Sequence, residues 1–380
     1  MLVAGGGIAG CATALALHRA GIESVVLEAR ADGGGTGGWD ELGGWFLTLA
    51  ANGVRAVRAL GAGAALDRVS GPMTSFVLHD ADGTERARRP LGGGDPVGFR
   101  HLTRAALISA LRSEVERRGI EVVPGARVTA VEPDGCGVRV HAGGDTRTGA
   151  VLVGADGVGS AVRAVVDQAC PAPRPTGQRV YFGRTPDRPF DGDGDFHVVA
   201  GAAQAFAAIP TPAGPTWWFA RAGPPDPDGD PGRAPRAGAL AALSGSGVAA
   251  RLVEATAPDD VGAVDPHDLP YTGTWWRGRA VLVGDAAHAA SPATGHGSTL
   301  ACEDAVVLAR ALHGSDLRDE RAVGAALARY QRLRRGRCQA NVVASAEMCG
   351  SPVPDADPGS RIDDAELHVH LDWGEPLPDP

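Results

Sequence analysis

Three glycines near the amino terminus have the spacing of a phosphate-binding turn. Gly5, Gly7 and Gly10 form the pattern G-x-G-x-x-G between an apolar run and a run rich in alanine and leucine. In a strand–turn–helix unit the first glycine makes the tight turn, the second lets the backbone approach a pyrophosphate, and the third lets the helix pack on the strand. Glu28 lies close to the ~20-residue spacing at which an acid accepts ribose hydroxyls. Because an acid disfavours a 2′-phosphate, the pattern predicts FAD or NAD rather than NADP.

Two further apolar runs are each followed by an aspartate. One ends in Gly154-Ala155-Asp156-Gly157 and the other in Gly284-Asp285. Ligands in open α/β sheets bind outside the carboxyl ends of the strands, so both aspartates are candidate ligand contacts. Two histidines, His288 and His296, follow the second aspartate. We interpret His288 as structural and keep both histidines as weak candidates for a catalytic role.

These motifs need a sheet flanked by helices to bring them together. The sequence predicts strands at 2–4, 22–27, 151–153 and 280–283, and helices at 11–20, 236–256, 298–313 and 319–345. Gly21 lies just past the first helix, where a carboxyl-terminal cap belongs. From Cys349 onward the chain is rich in proline and aspartate, and His368-Val369-His370 lies within this part. We expect an irregular tail or a strand packed on the body there.

The composition excludes several classes of protein. The chain has 380 residues, of which 44% are hydrophobic and 21% charged, so global disorder is excluded. The net charge of -9 argues against a nucleic-acid surface. All 36 basic residues are arginine, so chemistry that depends on lysine is excluded. The six cysteines form no C-x-x-C pair, and no apolar run is typical of a membrane span, which together favour a reduced, cytoplasmic protein.

Together the motifs resemble those of the class A flavoprotein monooxygenases, the para-hydroxybenzoate-hydroxylase-like enzymes. The resemblance rests on the glycine turn with Glu28, on Gly154 to Gly157, on Gly284-Asp285, and on Arg104 followed by leucines at helical spacing. It implies an α/β fold with an FAD-binding Rossmann-like domain of sheet, sheet and helix layers, into which a mixed β-sheet substrate domain is inserted. The implied boundaries are 1–70, 96–170 and 270–345 for the FAD-binding domain, 71–95 and 171–269 for the substrate domain, and 346–380 for a carboxyl-terminal tail.

The resemblance also implies which residues contact the cofactor. The glycine turn would approach the FAD pyrophosphate, Glu28 the AMP ribose and Asp285 the ribityl chain. Either Arg104 or its rival Arg100 would contact the FAD chain or its phosphates. The implied cofactor-binding set is Gly5, Gly7, Ile8, Ala9, Gly10, Glu28, Ala29, Arg30, Arg100, Arg104, Asp156, Gly284, Asp285, Pro292, Gly295, Gly297 and Ser298. The candidate substrate pocket is Trp45, Phe46, Trp217, Phe219 and Pro292, and no metal site is expected.

The implied reaction uses NADH or NADPH, FAD and O₂ to insert one oxygen atom into a hydrophobic aromatic or polycyclic small molecule. It proceeds through a flavin C4a-hydroperoxide, and the motifs do not separate hydroxylation from epoxidation or Baeyer–Villiger insertion. Two alternatives stay open: an FAD-dependent oxidase or dehydrogenase, and a flavin-binding protein that sequesters a ligand without turnover. A flavin halogenase is disfavoured because the chain has no lysine. We expect no nucleic-acid partner, and a monomer or a homodimer.

Overall fold

The computed structural model describes residues 1–31, 46–91, 95, 97–135, 137–201, 204–212, 214–224, 235–243, 247–270, 273–350 and 367–378. The strands are β1 (Leu2–Ala4), β2 (Val25–Leu27), β3 (Phe46–Leu49), β4 (Gly71–Met73), β5 (Ser75–His79), β6 (Glu85–Pro90), β7 (Phe99–Thr103), β8 (Glu121–Val123), β9 (Val128–Asp134), β10 (Gly137–Ala142), β11 (Asp145–Gly149), β12 (Leu152–Gly154), β13 (Arg174–Pro175), β14 (Arg179–Thr185), β15 (Phe196–Val199), β16 (Ala205–Pro210), β17 (Thr216–Ala222), β18 (Val261–Val264), β19 (His267–Asp268), β20 (Trp276–Arg277) and β21 (Ala280–Leu282).

The helices lie between these strands and after them. They are α1 (Ile8–Arg19), α2 (Ala51–Ala59), α3 (Gly63–Val69), α4 (Arg104–Arg117), α5 (Ala161–Val166), α6 (Pro235–Ala242), α7 (Gly247–Ala255), α8 (Asp285–His288), α9 (Gly297–Leu312), α10 (Glu320–Met348) and α11 (His368–Leu371), with 3₁₀ turns at Pro258–Asp260 and Pro292–Thr294. No helix in the described ranges has both the length and the hydropathy that crossing a bilayer requires.

A six-stranded sheet forms the centre of the larger core. Its order is β20-β21-β12-β1-β2-β8, and all neighbours are parallel except β20 and β21. Strands β1, β12 and β21 are buried throughout, as is usual for a parallel sheet covered on both faces. The predicted second strand begins only at Val25, because the Ile22 N–H bonds back to the Leu17 carbonyl and completes the end of α1.

Two further layers cover this sheet. Helix α1 packs against α9 and α4, and α9 packs against α10. The antiparallel sheet β11-β10-β9 contributes Val138 and Val140 to the same hydrophobic core as Leu2 and Val3. The expected α/β fold, with a Rossmann-like unit of sheet, sheet and helix layers, is therefore confirmed.

A second large sheet has two different faces. Its order is β18-β14-β17-β16-β15-β5-β6, and it is mixed because β5 and β15 run parallel while the other pairs are antiparallel. On one face Phe206 and Trp218 stack at 6.1 Å and pack in a core with α6 and α7. Successive side chains of a strand point to opposite faces, so Trp217 and Phe219 lie on the other face.

Two of the expected elements differ from the structure. Within the predicted helix at 236–256 the structure describes two helices, α6 and α7. The expectation of a strand or irregular chain at His368-Val369-His370 is wrong, since these residues begin the single-turn helix α11. Leu367 and Leu371 are both buried, and their four-residue spacing places them on one side of a helical turn rather than on one face of a strand. Arg310 donates to the Val369 carbonyl at 2.5 Å and holds this turn against α9.

Candidate functional site

The glycine motif forms the turn between β1 and α1. Gly5 has a φ of +101°, and a Cβ there would lie 2.5 Å from the carbonyl oxygen of Ala155. A Cβ on Gly10 would lie 1.8 Å from the carbonyl oxygen of Gly5, so only glycine lets the helix approach the turn this closely. A Cβ on Gly7, in contrast, would meet nothing within 4 Å. Gly7 therefore borders open space into which a ligand fits.

The amino terminus of α1 leaves backbone N–H groups without partners in the helix. Its first hydrogen bond runs from the Cys11 N–H to the Gly7 carbonyl at 2.9 Å, and no side chain caps the helix. The N–H groups of Ile8, Ala9 and Gly10 therefore have no acceptor within α1. Such a helix end carries partial positive charge and suits a phosphate group.

Glu28 lies against this turn just after β2. Its carboxylate accepts hydrogen bonds from the N–H of Gly6 at 2.6 Å and from the N–H of Arg30 at 2.8 Å, and the residue is buried. Ala29 and Arg30 beside it are half-buried. A carboxylate offers about four acceptor positions. Glu28 can therefore accept further hydrogen bonds, for example from ribose hydroxyls, while it holds the turn through the two N–H groups.

The two aspartates lie beyond the carboxyl ends of neighbouring strands, because β12 pairs with β21. Asp156 Oδ2 accepts from the Ala161 N–H at 2.8 Å, whereas its Oδ1 is buried without a partner. Asp285 is exposed in the first turn of α8. Gly284 before it packs so closely on α1 that a Cβ would lie 2.9 Å from the Cβ of Ala9. The second aspartate is thereby brought to the glycine turn, and the unpartnered Asp156 oxygen fits a polar ligand there.

A tight loop connects α8 to α9. It contains the turn at Pro292–Thr294, in which Pro292 is exposed, and then Gly295 with a φ of +70°. The Thr48 hydroxyl lies 3.4 Å from the Gly295 carbonyl, and a Cβ on Gly295 would collide with that hydroxyl at 2.8 Å. The loop is therefore packed directly against β3.

The amino terminus of α9 follows this loop. His296 is half-buried, and its Nδ1 lies 2.6 Å from the Thr294 carbonyl oxygen. No side chain caps the helix, Gly297 is exposed, and Ser298 is half-buried. The first N–H groups of α9 are thus directed at open space, and their dipole favours negative charge on whatever binds there.

His288 belongs to a buried ion-pair cluster rather than to a cleft. Its Nε2 lies 2.6 Å from Asp304 Oδ2, and Arg334 Nε donates to Asp304 Oδ1 at 2.7 Å. Burial acts to lower the pKa of His288, but Cys338 and Asp304 raise it well above its usual value. The ligand atoms of His288, Asp304 and Cys338 lie within 4.8 Å of one another. The guanidinium of Arg334 already neutralises the Asp304 carboxylate, so these residues do not require a metal ion to balance their charge.

The candidate arginines differ in how they are engaged. Arg100 donates to the Ser70 hydroxyl at 2.7 Å and pairs with Asp67 at 3.0 Å. Arg163 is buried and donates to backbone carbonyls, including that of Ala286 at 3.1 Å. Arg104 is exposed at the first position of α4. Arg104 is therefore the more accessible of the two rival arginines.

Aromatic side chains form a row beside the loop. Phe46 of β3 and Phe219 of β17 lie 5.8 Å apart between ring centroids, so two of the candidate pocket residues are brought together. The ring of Phe196 lies 6.4 Å from that of Phe219, and the ring of Phe76 lies 6.1 Å from that of Phe196. The sequence patterns did not indicate either of these two residues. Trp217 is half-buried on the same face as Phe219, and Trp45 lies outside the described residues. The short run Phe196-His197-Val198-Val199, which is rich in strand-forming residues, was the available signal for a strand that carries Phe196.

Comparison with known proteins identifies the class that this fold and site define. The model of the family described as "FAD binding domain" matches residues 1–345. The chain belongs to this family, the para-hydroxybenzoate-hydroxylase-like flavoprotein monooxygenases, and FAD is its cofactor.

Individual relatives agree with this assignment. The chain is 34% identical over 346 residues to the aurachin C monooxygenase/isomerase of Stigmatella aurantiaca, covering 88% of this chain and 84% of the relative. It is 28% identical to an FAD-dependent urate hydroxylase of Klebsiella pneumoniae, covering 92% of this chain and 89% of the relative. The crystal structure of Klebsiella pneumoniae HpxO with FAD and uric acid superposes with a TM-score of 0.78 at 25% identity, covering 97% of this chain and 92% of that one.

Proposed function

We propose that this protein uses NADH or NADPH and O₂ to insert one oxygen atom into a hydrophobic aromatic or polycyclic small molecule. The observation that carries the proposal is the convergence of two uncapped helix ends and an exposed aspartate on open space beside an aromatic row. The relatives named as monooxygenases and hydroxylases support the reaction class. FAD supplies the redox chemistry when it is bound, and the protein supplies binding, orientation and electrostatics.

Each part of the site has a role in holding the cofactor. The N–H groups of Ile8 and Ala9 would donate to the pyrophosphate, for which Gly7 leaves room. Glu28 would accept ribose hydroxyls, and Asp285 would accept hydroxyls of the ribityl chain. Arg104 would contribute a positive charge to the phosphates. The fit rests on the open space at Gly7 and on the exposure of Asp285.

The end of α9 would hold the ring system of the cofactor. The N–H groups that begin at Gly297 and Ser298 would stabilise negative charge on a bound flavin, because they are uncapped and oriented before any ligand binds. His296 is held by the Thr294 carbonyl and positions the loop. His288 holds its position through Asp304 and takes no part in proton transfer to the substrate.

The aromatic row binds the substrate and excludes water. Phe46 comes from the three-stranded sheet β3-β7-β4, whereas Phe219 comes from the seven-stranded sheet. We therefore assign residues 1–70, 96–170 and 270–345 to cofactor binding and 71–95 and 171–269 to substrate binding, with 346–380 as a tail. The described cysteines form no disulfides, which supports a reducing, cytoplasmic location.

The purified protein should carry FAD and oxidise NADH or NADPH slowly by itself. A screen of aromatic and polycyclic compounds should identify one that accelerates this oxidation and gains one oxygen atom by mass spectrometry. Oxidation of a substrate without oxygen insertion would favour the oxidase or dehydrogenase alternative. Tight binding of FAD and of a ligand without turnover would favour the sequestering alternative, and a protein that cannot take up FAD would refute the proposal.

A further inference from the structure

Two cysteines in the described part of the chain are accessible to solvent. Cys170 and Cys349 are half-buried, and the remaining described cysteines are buried: Cys11, Cys302 and Cys338. A thiol must be accessible to react with a dissolved oxidant. Cys170 and Cys349 are therefore the described thiols at which such a reaction can occur.

Cys349 lies beside an arginine whose hydrogen-bonding groups are not all used. Arg221 is only 8% exposed, yet its Nε has no hydrogen-bond partner, and its Nη1 lies a long 3.5 Å from the Met348 carbonyl oxygen. Burial lowers the pKa of Arg221, and the neighbouring group that opposes burial is Cys349. No carboxylate among the described residues pairs with this guanidinium. Because a buried charge without a partner is unfavourable, an anion at Cys349 would complete an ion pair that is half-built.

The hydroxyl of a serine contacts the same thiol. Ser291 is buried, and its Oγ lies 2.9 Å from the Cys349 Sγ. A hydroxyl can donate to a thiolate, so Ser291 and Arg221 together offer two donors to an anion at this position. The three residues come from different parts of the fold, since Arg221 lies in β17, Ser291 in the loop before α9, and Cys349 directly after α10.

The other accessible thiol has different surroundings. Cys170 also lies near an arginine, but Arg163 already donates to two backbone carbonyls. Burial raises the pKa of the Cys170 thiol and outweighs this arginine. The form of cysteine that reacts with peroxides is the thiolate, and a cation with an unused N–H group stabilises that form. Cys349 has such a neighbour, whereas Cys170 does not.

Ser291 also connects this cluster to the loop at the cofactor site. Its Oγ accepts from the Ala293 N–H at 3.2 Å and caps the turn at Pro292–Thr294, which is followed by Gly295 and the uncapped end of α9. The Cys349 Sγ and the Ser291 Oγ are already in hydrogen-bonding contact, so an oxygen atom added to the sulfur changes the surroundings of the capping hydroxyl. A chemical change at Cys349 should therefore alter the position of the loop.

We propose that Cys349 is a modification site at which hydrogen peroxide converts the thiolate to a sulfenic acid, with Arg221 and Ser291 as the groups that bind the anion. The sulfur attacks one oxygen of the peroxide, the S–O bond forms as the O–O bond breaks, and hydroxide leaves; the sulfur is oxidised by two electrons and the peroxide is reduced. The free Nε–H of Arg221 then donates to the new oxygen. This inference goes beyond the proposed function, because neither a substrate nor NAD(P)H takes part in the step.

The test traps the sulfenic acid with dimedone. The FAD-loaded protein is treated with a small excess of hydrogen peroxide in the presence of dimedone, and the labelled cysteines are located by tandem mass spectrometry. Dimedone reacts with sulfenic acids, so oxidation of the exposed Met348 next to the site is not counted. In the wild type Cys349 should carry at least about tenfold more label than Cys170 after the same time.

Variants then test the roles of the neighbouring groups. Cys349→Ser should remove the label. Arg221→Gln should slow the labelling of Cys349 at least about tenfold, because one charged hydrogen bond to the thiolate is lost. Arg221→Lys, which keeps the charge without the planar fork, should retain part of the rate. Cys170→Ser is the matched control, since it removes the other half-buried thiol and should leave the labelling of Cys349 unchanged.

The connection to the loop is measured by titrating apoproteins with FAD. Peroxide treatment of the wild type should raise the Kd for FAD about threefold or more, as expected when one capping interaction is disturbed, and a thiol reductant should restore it. The same treatment should leave the Kd of Cys349→Ser unchanged. A label on Cys349 without any change in the Kd would refute the effect on the loop.

Three results would overturn the modification site itself. The first two come from the wild type: Cys349 carries no label, or Cys170 is labelled as strongly as Cys349. The third is a folded Arg221→Gln protein, checked by circular dichroism, that is labelled as fast as the wild type. None of these results bears on the proposed function, which fails separately if no compound stimulates NAD(P)H oxidation.

Discussion

Replacing Gly7 with alanine should separate the cofactor-binding role of this residue from its part in the fold. Gly7 has φ −77° and ψ −164°, an extended conformation open to alanine, and a Cβ there would meet nothing within 4 Å. Alanine loses the advantage of glycine at a helix amino terminus, about 1 kcal/mol, and gains about 0.4–1 kcal/mol by restricting the unfolded chain. The free energy of unfolding of the apoprotein should therefore change by less than about 1 kcal/mol.

FAD binding should respond much more strongly. If the pyrophosphate lies against Gly7, the added methyl group overlaps it, and overpacking of this kind costs about 1–3 kcal/mol. The Kd for FAD should then rise about 5- to 150-fold, since each 1.4 kcal/mol is about a factor of ten.

The assay titrates each apoprotein with FAD, follows the flavin fluorescence, and melts each apoprotein by circular dichroism. Gly336→Ala is the control, because Gly336 lies exposed in α10 with nothing within 4 Å of a Cβ. That variant should be stabilised by about 0.5–1 kcal/mol with unchanged FAD binding. A Gly7→Ala protein that binds FAD as tightly as the wild type would refute the placement of the pyrophosphate. An unfolded Gly7→Ala apoprotein would contradict the open space seen beside Gly7.

Three further changes test other parts of the site. Asp285→Ala should raise the Kd for FAD about tenfold, and an unchanged flavin-to-protein ratio after gel filtration would rule out its contact with the ribityl chain. Burial raises the pKa of Asp304, but His288 and Arg334 outweigh burial and hold it at about 2. Its contribution to stability is therefore present above about pH 3.9, the unfolded-state value, and is lost as the pH falls towards 2. Asp304→Asn should lower the free energy of unfolding by about 3–5 kcal/mol at neutral pH in urea denaturation; a loss below about 1 kcal/mol would show that the cluster is not an ion pair. Phe219→Ala should raise the KM for the substrate with unchanged flavin content, and an unchanged KM would remove Phe219 from the pocket.

The cofactor half of the site could be predicted because its chemistry restricts residue types at short range. Gly5 and Gly10 are needed where the backbone approaches itself, and the collision distances at both positions explain why no larger residue serves. The strands that end before Asp156 and Asp285 are predictable because a strand buried on both faces is a continuous apolar run. Their pairing side by side follows from the topology of a parallel sheet.

The substrate half could not be predicted in the same detail, because its geometry depends on pairing between distant strands. Phe76 and Phe196 are direct partners across β5 and β15, and no local pattern specifies which strand lies beside which. Trp217 and Trp218 are adjacent in sequence and face opposite sides, so an aromatic run alone does not distinguish pocket from core.

The buried ion-pair cluster explains how the exposed part of the cofactor site is kept in place. Asp304 belongs to α9, the helix whose uncapped amino terminus faces the site, and its Oδ2 accepts from the Gly284 N–H at 2.9 Å as well as from His288. One carboxylate thus fixes the residue before Asp285 relative to α9, while Arg334 ties the same carboxylate to α10. Because a site that is ordered before binding spends less binding energy on ordering, we expect this buried charge cluster to contribute to the affinity for the cofactor through the position of Asp285.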